Sequence, residues 1–386
     1  MELRIHRAME EMGAAEWNGM TGSDCPFLRH EFLSALEHHG AVCAETGWVP
    51  HHLGLYEGDR LVAAAPAYLK SHSWGEFVFD FAWADAYERH GLDYYPKLVV
   101  SVPYTPATGP RVVTAPGRDR EALIRALARA AREVCDVAGL SSLHWLFPQP
   151  ADARVIAGTG YLVRYGCQYH WYNPGYRDFE DFLSALTSKK RKNIRRERRR
   201  VAEAGVTLRI VHGDEADTGL WRDMHRFYRN TFRAHGNLPL ISRECFEDIG
   251  ARLGRDVVLV AAERDGRRIA GAICLRGPDT LYGRYWGCDE EIDDLHFEAC
   301  YYQGIDYCIR EGLSRFEPGA QGEHKVARGF LPTLTRSCHH LGDPRFREAV
   351  DDFLARERSG VNEYVEMLTM EGPYREDSLR RLAPVR

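Results

Sequence analysis

The sequence predicts an α/β (α+β) protein of two similar units in tandem, each with a mixed, mainly antiparallel sheet flanked by helices. Two segments, LGLYEGDRLVAAAPAYL and LVAAERDGRRIAGAICL, share a hairpin pattern around an acidic-glycine turn. Each half also shows the order helix, hairpin, strand, helix, strand, which indicates an internal duplication. We place the units at 1–170 and 171–342, and a charged helical extension, packing across the units, at 343–386.

Composition indicates a globular protein with an ample core. The chain has 386 residues, of which 44% are hydrophobic. No apolar run approaches the ~20 residues that span a bilayer, and the N-terminus lacks the pattern of a signal peptide. The ten cysteines form no C-x-x-C pair, which is typical of reduced, buried thiols. We therefore predict a cytoplasmic protein without a membrane span or a metal; the oligomeric state stays open.

The elements of the first half follow from periodicity and breaker residues. Apolar spacing in 25–40 predicts a helix, and the runs around 57–59 predict a hairpin. Aromatic and polar residues alternate in 72–91, which predicts a strand with Glu76 and Asp80 on one face. The remaining predicted elements are a strand at 94–113, a helix at 121–139 and a strand at 141–147.

The second half contains the stretch where we expect the chemistry, 281–330. It predicts a strand, an acidic loop, an amphipathic helix, a second strand and a polar loop ending in Gly-Phe. Asp293 and Asp294 are candidate caps of that helix. A strand that feeds a helix and returns to a strand creates ligand crevices at the strand ends. Upstream, the pattern predicts helices at about 179–204 and 220–236.

This order of elements resembles the GNAT acyltransferase fold, and the chain resembles the FemAB-like group of N-acyltransferases, which are built from two GNAT-like units. The resemblance covers most of the chain and is most specific at HSWGEFVFD, YYPKL, LHFEACYYQ and GAQGEHKVARGF. The segment SKKRKNIRRERRRVAEAGV looks like the helix that opens the second unit of FemABX-type aminoacyltransferases. In those enzymes an aminoacyl-tRNA supplies the acyl group and an amine on a cell-wall precursor receives it. The resemblance implies acyl transfer to an amine, possible tRNA binding and no tightly bound cofactor.

Two features bear on whether the acyl donor is aminoacyl-tRNA or acyl-CoA. GNAT enzymes hold the CoA pyrophosphate with a Q/R-x-x-G-x-G/A loop at a helix N-terminus, and neither half contains this loop. The corresponding segment of the second half, 289–294, is acidic and would repel a pyrophosphate. In the first half, the loop with Arg111, Gly117 and Arg118 suits an anion better.

The second feature is a strongly basic helix at 188–201, in which nine cations stand against Glu197 alone. Solvated helices usually mix charges of both signs, so we favour contact with a polyanion such as tRNA through its backbone or shape. The alternative is a solvated helix face. The candidate polyanion contacts are Lys189, Lys190, Arg191, Lys192, Arg195, Arg196 and Arg199.

Acyl transfer needs a group that takes the amine proton and donors that hold the oxyanion. The candidates for the base are Glu298, His296 and His324, and those for stabilising the oxyanion or a substrate phosphate are Lys325 and Arg328. The FemABX loop carries a lysine shortly before a Gly-Phe pair. Here an arginine directly precedes that pair and the lysine lies further back, so which cation has this role stays open.

Further polar and aromatic residues are candidates for lining a substrate cleft, although each also suits a structural role. In the second half they are Tyr285, Trp286, Tyr302, Gln303 and Glu323. In the first half they are Glu76, Asp80, Asp85, Tyr94 and Lys97. Two other functions remain open at this point: an acyl-CoA-dependent N-acetyltransferase acting on a small-molecule or peptide amine, and a non-catalytic module that recognises a ligand.

Overall fold

The computed structural model describes residues 1–320 and 322–382, and it is a mixed α/β structure, as predicted. The chain divides into two compact units. The first consists of Met1–Gly166 and Leu334–Glu363, and the second of Cys167–Thr333 and the residues from Tyr364 on. Among the described helices, none is both long and apolar enough to cross a membrane. All ten cysteines are free thiols, and six of them are buried.

The first unit begins with eight strands and five helices. The strands are β1 (Glu2–His6), β2 (Trp48–Pro50), β3 (His52–Glu57), β4 (Arg60–Ala65), β5 (Ala67–Lys70), β6 (Lys97–Val100), β7 (Val113–Thr114) and β8 (Ser142–Leu146). The helices are α1 (Ala14–Asn18), α2 (His30–His38), α3 (Phe81–Arg89), α4 (Arg120–Val137) and α5 (Pro150–Ala157). The predicted helix at 25–40 is thus shorter, with a 3-10 turn at Pro26–Leu28 before it.

These strands form two sheets. β1, β3, β4 and β7 pair antiparallel in that order, and the β3–β4 hairpin is confirmed at its predicted turn. β2, β5 and β6 also pair antiparallel, whereas β6 and β8 are parallel. The amphipathic α4 buries Leu127, Ala131 and Cys135 in one cluster with Val62 and Trp145. Burying a large apolar side chain contributes roughly 1.5–3 kcal/mol, so this face holds the helix on the sheets.

The strand predicted at 72–91 is wrong. A loop occupies this place up to Asp80, and α3 follows it. Gly75 and Phe77 have φ values of +84° and +61°, which interrupt an extended chain. Glu76 and Asp80 are buried, because both carboxylates bind the ammonium of Lys97 inside the unit. A buried charge partner therefore overrides the alternating pattern.

The second unit continues the numbering. Its strands are β9 (Leu162–Tyr172), which begins in the first unit, β10 (Thr207–His212), β11 (Val257–Arg264), β12 (Arg267–Arg276), β13 (Thr280–Cys288) and β14 (Arg315–Glu317). Its helices are α6 (Phe179–Ala185), α7 (Ser188–Glu203), α8 (Thr218–Ala234), α9 (Arg243–Leu253), α10 (Leu295–Phe297) and α11 (Gln303–Glu311). The last elements of the chain are β15 (Leu331–Leu341), α12 (Pro344–Met370) and α13 (Glu376–Leu382).

In the second unit β10, β11, β12 and β13 are antiparallel neighbours, β13 and β14 are parallel, and β14 pairs antiparallel with β9. In the first unit the end of β15 pairs antiparallel with β8. Most of α12 belongs to the first unit, and its residues from Tyr364 on belong to the second.

Two helices differ from the prediction. The helix expected at 179–204 is broken at Leu186 and Thr187, which are extended and separate α6 from α7. Leu186 is buried, and the Thr187 amide donates to the Pro373 carbonyl, so tertiary contacts hold the break. The predicted caps of the later helix are also wrong, because Asp294 at its N-cap position has a φ of +65° and no side-chain capping bond.

Candidate active site

β13 and β14 of the second unit form only a short parallel pair, and we call the place where this pairing ends the crevice. The two strands pair only from Thr280 to Tyr282, after which β13 continues alone on this side to Cys288. The chain after β14 passes close to Gly283, where an added Cβ would lie 3.2 Å from the Pro318 Cα. Strand ends that part in this way form ligand crevices in α/β proteins.

The helical segment after β13 supplies aromatic and imidazole rings at this crevice. A π-helical turn at Glu298–Tyr302 separates α10 from α11, a feature that recurs at functional sites. The His296 ring lies 5.4 Å from Trp286 and 5.3 Å from Tyr301, centroid to centroid. His324 Nε2 is 2.9 Å from the Tyr301 hydroxyl, and the two imidazole centroids are 6.3 Å apart. The structure thus brings together two of the predicted bases.

Both imidazoles are neutral near pH 7. Burial, with the nearby His324, Lys325 and Arg328 charges as lesser causes, lowers the pKa of His296 to about 4. Burial likewise lowers the pKa of His324, assisted by Lys325 and Arg328. A neutral imidazole accepts a proton at one ring nitrogen. Among the described residues, none forms a hydrogen bond to the His296 ring.

Lys325 lies at the same crevice. Its side chain is buried, with 3% of the residue exposed, and Nζ donates one hydrogen bond of 2.8 Å to the Gly319 carbonyl just after β14. An ammonium has three donors, and no carboxylate of the described chain forms an ion pair with this one. Burial lowers the pKa of Lys325 to about 8. A buried cation without a counter-charge is suited to a developing negative charge.

Glu298 is not free to act as the predicted base. Both of its oxygens accept from the Arg198 guanidinium at 3.1 Å, and Gln303 Nε2 donates to Oε1 at 2.7 Å. Arg198 also binds Asp306 at 2.9 Å. These contacts give Glu298 and Gln303 a positioning role, since they fix the π-helical turn against α7.

Arg328 is engaged in a similar way. Its guanidinium binds Glu197 through two bonds of 2.9 and 3.1 Å and lies 3.3 Å over the Phe297 ring. The Tyr302 hydroxyl donates to the same carboxylate. Glu197 therefore joins α7 to both walls of the crevice, and of the two candidate cations Lys325 remains the one without an ion pair among the described residues.

Two predicted lining residues point elsewhere. Neighbouring side chains of a strand face opposite sides, so Trp286 reaches His296 whereas Tyr285 lies 5.1 Å from Tyr228 in the aromatic cluster of α8 and α9. Glu323 accepts a hydrogen bond from the Tyr364 hydroxyl and is exposed.

The basic helix α7 has two different faces. Its inward residues Glu197 and Arg198 make the contacts described above, and Arg195 and Arg199 pair with Glu180 and Glu203. Across the described chain, the cations of α7 without an ion pair are Lys189, Lys190, Arg191, Lys192 and Arg196. Spacing of three and four residues places Lys189, Lys192 and Arg196 on one face, and all three are exposed.

A second charged cluster lies inside the first unit. Lys97 Nζ donates to Glu76 at 2.9 Å, to Asp80 at 2.5 Å and to Ser73 at 2.8 Å, and the Tyr94 hydroxyl donates to Asp80 at 2.6 Å. Burial opposes the charge of Lys97, but the two carboxylates outweigh it and raise its pKa. Four of the five predicted residues of this half therefore meet, whereas Asp85 is exposed on α3.

Two histidines of this cluster were missed by the sequence analysis. His144 Nδ1 is 2.7 Å from His339 Nδ1, and His144 Nε2 is 3.2 Å from the Tyr94 hydroxyl. Burial lowers the pKa of His144 to about 3, so the ring is neutral. The available signal was one histidine, His144, within the apolar run SSLHWLF. Its contact with His339 could not be predicted, because the two histidines are far apart in the sequence.

The loop suggested for an anion in the first half is occupied by internal bonds. Arg111 donates to the carbonyls of Ala107 at 2.5 Å and Leu146 at 2.6 Å, and Arg118 pairs with Glu57. These guanidinium groups are already bound by protein oxygens.

Among the described residues, one group of three possible metal ligands occurs, namely Cys135, Asp136 and His340, whose ligand atoms lie within 4.8 Å of one another. Burial raises the pKa of Cys135 to about 12. A metal needs the thiolate form, so this environment does not suit one; the expectation of no metal stays a prediction.

The two units and the opened β13–β14 pair define a tandem protein with the GNAT fold. The chain belongs to the FemAB-like family, whose profile matches residues 8–376 and is described as peptidoglycan biosynthesis/recognition. The comparison with curated proteins finds no match. The resemblance noted from the sequence is therefore confirmed.

Solved structures share this fold. FemX is 12% identical, with 90% of this chain and 99% of that chain covered and a TM-score of 0.52. L-PGS from Bacillus licheniformis is 11% identical, with 85% and 96% covered and a TM-score of 0.52. The C-terminal domain of a putative lysylphosphatidylglycerol synthetase from Agrobacterium fabrum is 12% identical, with 90% and 95% covered and a TM-score of 0.51. At these identities the likeness confirms the predicted fold, and family and fold together support an acyltransferase-type function in peptidoglycan biosynthesis.

Proposed function

We propose that this protein is an N-acyltransferase that moves an acyl group, in the form of an aminoacyl ester, onto the amine of a peptidoglycan precursor. The observation that carries the proposal is the buried ammonium of Lys325 at the open end of β13 and β14, beside the neutral imidazoles of His296 and His324. This arrangement supplies the two groups that acyl transfer to an amine requires.

In the proposed reaction the acceptor nitrogen attacks the acyl carbonyl, and the carbonyl oxygen becomes an oxyanion. The Lys325 ammonium, which has two N–H groups not used by described residues, donates to that oxyanion. His296 takes the proton from the attacking nitrogen. The oxyanion then re-forms the carbonyl, the bond to the ester oxygen of the donor breaks, and His296 passes the proton to that oxygen, which leaves as a hydroxyl group. General-base and oxyanion assistance of this kind each contribute about two to three orders of magnitude in rate.

The start of the helix after β13 argues against acyl-CoA as the donor. A pyrophosphate site needs several free N–H groups at the N-terminus of a regular helix. Here the backbone of Asp294 has a left-handed conformation, α10 spans only three residues and a π-helical turn follows it, so the helix does not begin with regular turns. Some acidic residues of this loop are neutralised, since Asp289 pairs with Arg226 and Asp294 with Arg200, so the helix geometry supports this choice of donor better than charge does.

The test is a transfer assay on the full chain with aminoacyl-tRNA or acetyl-CoA as the donor and a peptidoglycan precursor peptide with a free amine as the acceptor. Lys325→Ala should reduce kcat by about 10²–10³-fold. Lys325→Arg is the matched control, because it keeps a cation and should retain a larger part of the activity. Full activity in Lys325→Ala would refute the proposed site, and transfer from acetyl-CoA alone would refute the proposed donor.

A further inference from the structure

In the loop at 71–80 of the first unit, aromatic side chains are exposed and carboxylates are buried, which is the reverse of the usual arrangement. Trp74, Phe77 and Phe79 are 65%, 39% and 57% exposed, whereas Glu76 and Asp80 are 4% and 2% exposed. Folded proteins normally bury aromatic rings and leave carboxylates in water. Clustered exposed apolar side chains of this kind are typical of surfaces that bind a ligand, another protein or a membrane.

Trp74 and Phe79 are joined through the partly exposed ring of Phe81 into one aromatic wall. The Trp74 and Phe81 centroids are 5.3 Å apart, and Phe79 stacks on Phe81 at 6.1 Å with an interplanar angle of 25°. Phe77 has a φ of +61°, which is a strained backbone conformation for a non-glycine residue. The chain thus accepts strain to keep this loop in place.

Two buried carboxylate oxygens of the same loop have no donor among the described residues. Glu76 Oε2 and Asp80 Oδ2 accept from Lys97, but Glu76 Oε1 and Asp80 Oδ1 are buried without a hydrogen-bond partner among the described residues. Leaving such an oxygen unsatisfied is energetically unfavourable. The two oxygens belong to neighbouring carboxylates on the same ammonium, so one donor-rich group could satisfy both.

An ammonium is a group that fits these two acceptors. Against the two carboxylates stand Lys97 and Lys70, while His144 is neutral. Lys70 donates to the Trp74 carbonyl at 3.2 Å and lies 3.7 Å over the Trp48 ring. Burial lowers the pKa of Lys70 to about 7, and burial raises that of Glu76 to about 7 against the attraction of Lys97, so both groups are only partly charged near neutral pH. A single ammonium offers three N–H donors, and its charge favours the ionised form of Glu76.

We propose that the loop at 71–80 is a binding site for a primary ammonium group carried on an apolar or ring-shaped body. The ammonium binds Glu76 Oε1 and Asp80 Oδ1, and the body packs on the wall of Trp74, Phe79 and Phe81. The assignment of this ligand as the acyl acceptor rests on the proposed function, whereas the binding itself does not.

The experiment is calorimetric titration of the full chain with benzylamine and with benzyl alcohol, its neutral counterpart. Benzylamine should bind at least about tenfold more tightly, a difference of about 1.4 kcal/mol. Glu76→Gln should remove that preference, and Trp74→Ala, a change at an exposed residue, should weaken both probes alike. Glu88→Gln, the same change at an exposed position of α3, should keep wild-type binding.

Equal affinity for the two probes, or an undiminished preference for benzylamine in a folded Glu76→Gln variant, would overturn the proposal. Circular dichroism checks the fold, and Trp74→Ala gives an independent test, since wild-type affinity in that variant also counts against the site. The two proposals fail separately. If the wild-type chain transfers the acyl group but does not bind benzylamine, only the ammonium site in the first unit is overturned. If Lys325→Ala keeps full transfer activity, only the proposed function of the second unit is overturned.

Discussion

Lys325 and Lys97 are both almost completely buried, yet their surroundings shift their pKa values in opposite directions. Two carboxylates outweigh burial at Lys97 and raise its pKa. At Lys325 burial meets no carboxylate among the described residues, and the pKa falls to about 8. The protein itself neutralises the first lysine, whereas the second has no counter-charge among the described residues. The sequence alone does not distinguish the two lysines, because each lies in a segment with a similar mixture of polar and apolar residues.

The unpaired charge of Lys325 should reduce stability. A pKa of about 8 in the folded chain, against 10.5 for a free lysine, is a difference of about 2.5 units, equivalent to roughly 3 kcal/mol. The folded state loses its proton first as the pH rises, so this penalty is fully present below pH 8 and disappears by about pH 10.5. Lys325→Met, which removes the charge but keeps the length, should therefore raise the free energy of unfolding at pH 7.

Urea denaturation of wild type and Lys325→Met at several pH values measures this difference. The stability gain of the variant should shrink as the pH rises through the window given above, while transfer activity is lost at every pH. A variant that is less stable than wild type at pH 7 would contradict the pKa assignment.

At the scale of elements, α7 is held to the crevice by two acidic–basic contacts that a charge count does not reveal. Glu197 receives Arg328 and the Tyr302 hydroxyl, and Arg198 reaches Glu298. In the sequence, Glu197 stands as a lone acid among cations. It is instead the residue that joins α7 to the loop containing Lys325.

Glu197→Gln should destabilise the second unit, because it leaves the largely buried Arg328 guanidinium without its counter-charge. Breaking a buried pair in this way costs roughly 2–4 kcal/mol after some allowance for the remaining exposure. Glu203→Gln on the same helix is the control, since its pair with Arg199 is exposed and should contribute less than about 0.5 kcal/mol. Chemical denaturation compares the two variants, and equal midpoints would contradict the anchoring role of Glu197.

The elements show where sequence patterns suffice and where they fail. The hairpins follow from local alternation and turn residues, and both occur where predicted. The strand at 72–91 fails because the decisive interaction is non-local: Lys97 draws two carboxylates inward from a segment that otherwise alternates. The continuous helix predicted through Leu186 and Thr187 is wrong for the same reason, because the Pro373 carbonyl that holds the break is far along the chain.

For the whole molecule, the distribution of charge matters more than its sum. The chain carries a formal net charge of −5. Most of the described cations of α7 that face inward or lie near acidic residues form ion pairs with those residues. The face formed by Lys189, Lys192 and Arg196 keeps its charge exposed in an otherwise acidic protein. Such a face attracts a polyanion through counterion release, largely without reading its sequence.

Binding of deacylated tRNA across a salt series tests this face. Lys192→Glu/Arg196→Glu should weaken binding and reduce the slope of log K against log salt by about 2, since roughly one unit is lost for each phosphate contact removed. Arg222→Glu/Arg233→Glu changes the net charge equally at exposed positions of α8, so its slope should stay close to that of wild type. Equal losses in the two variants would mean that net charge, rather than the face of α7, governs binding. An unchanged slope in the α7 variant would count against aminoacyl-tRNA as the donor, because that choice would then rest only on the helix geometry that disfavours acyl-CoA.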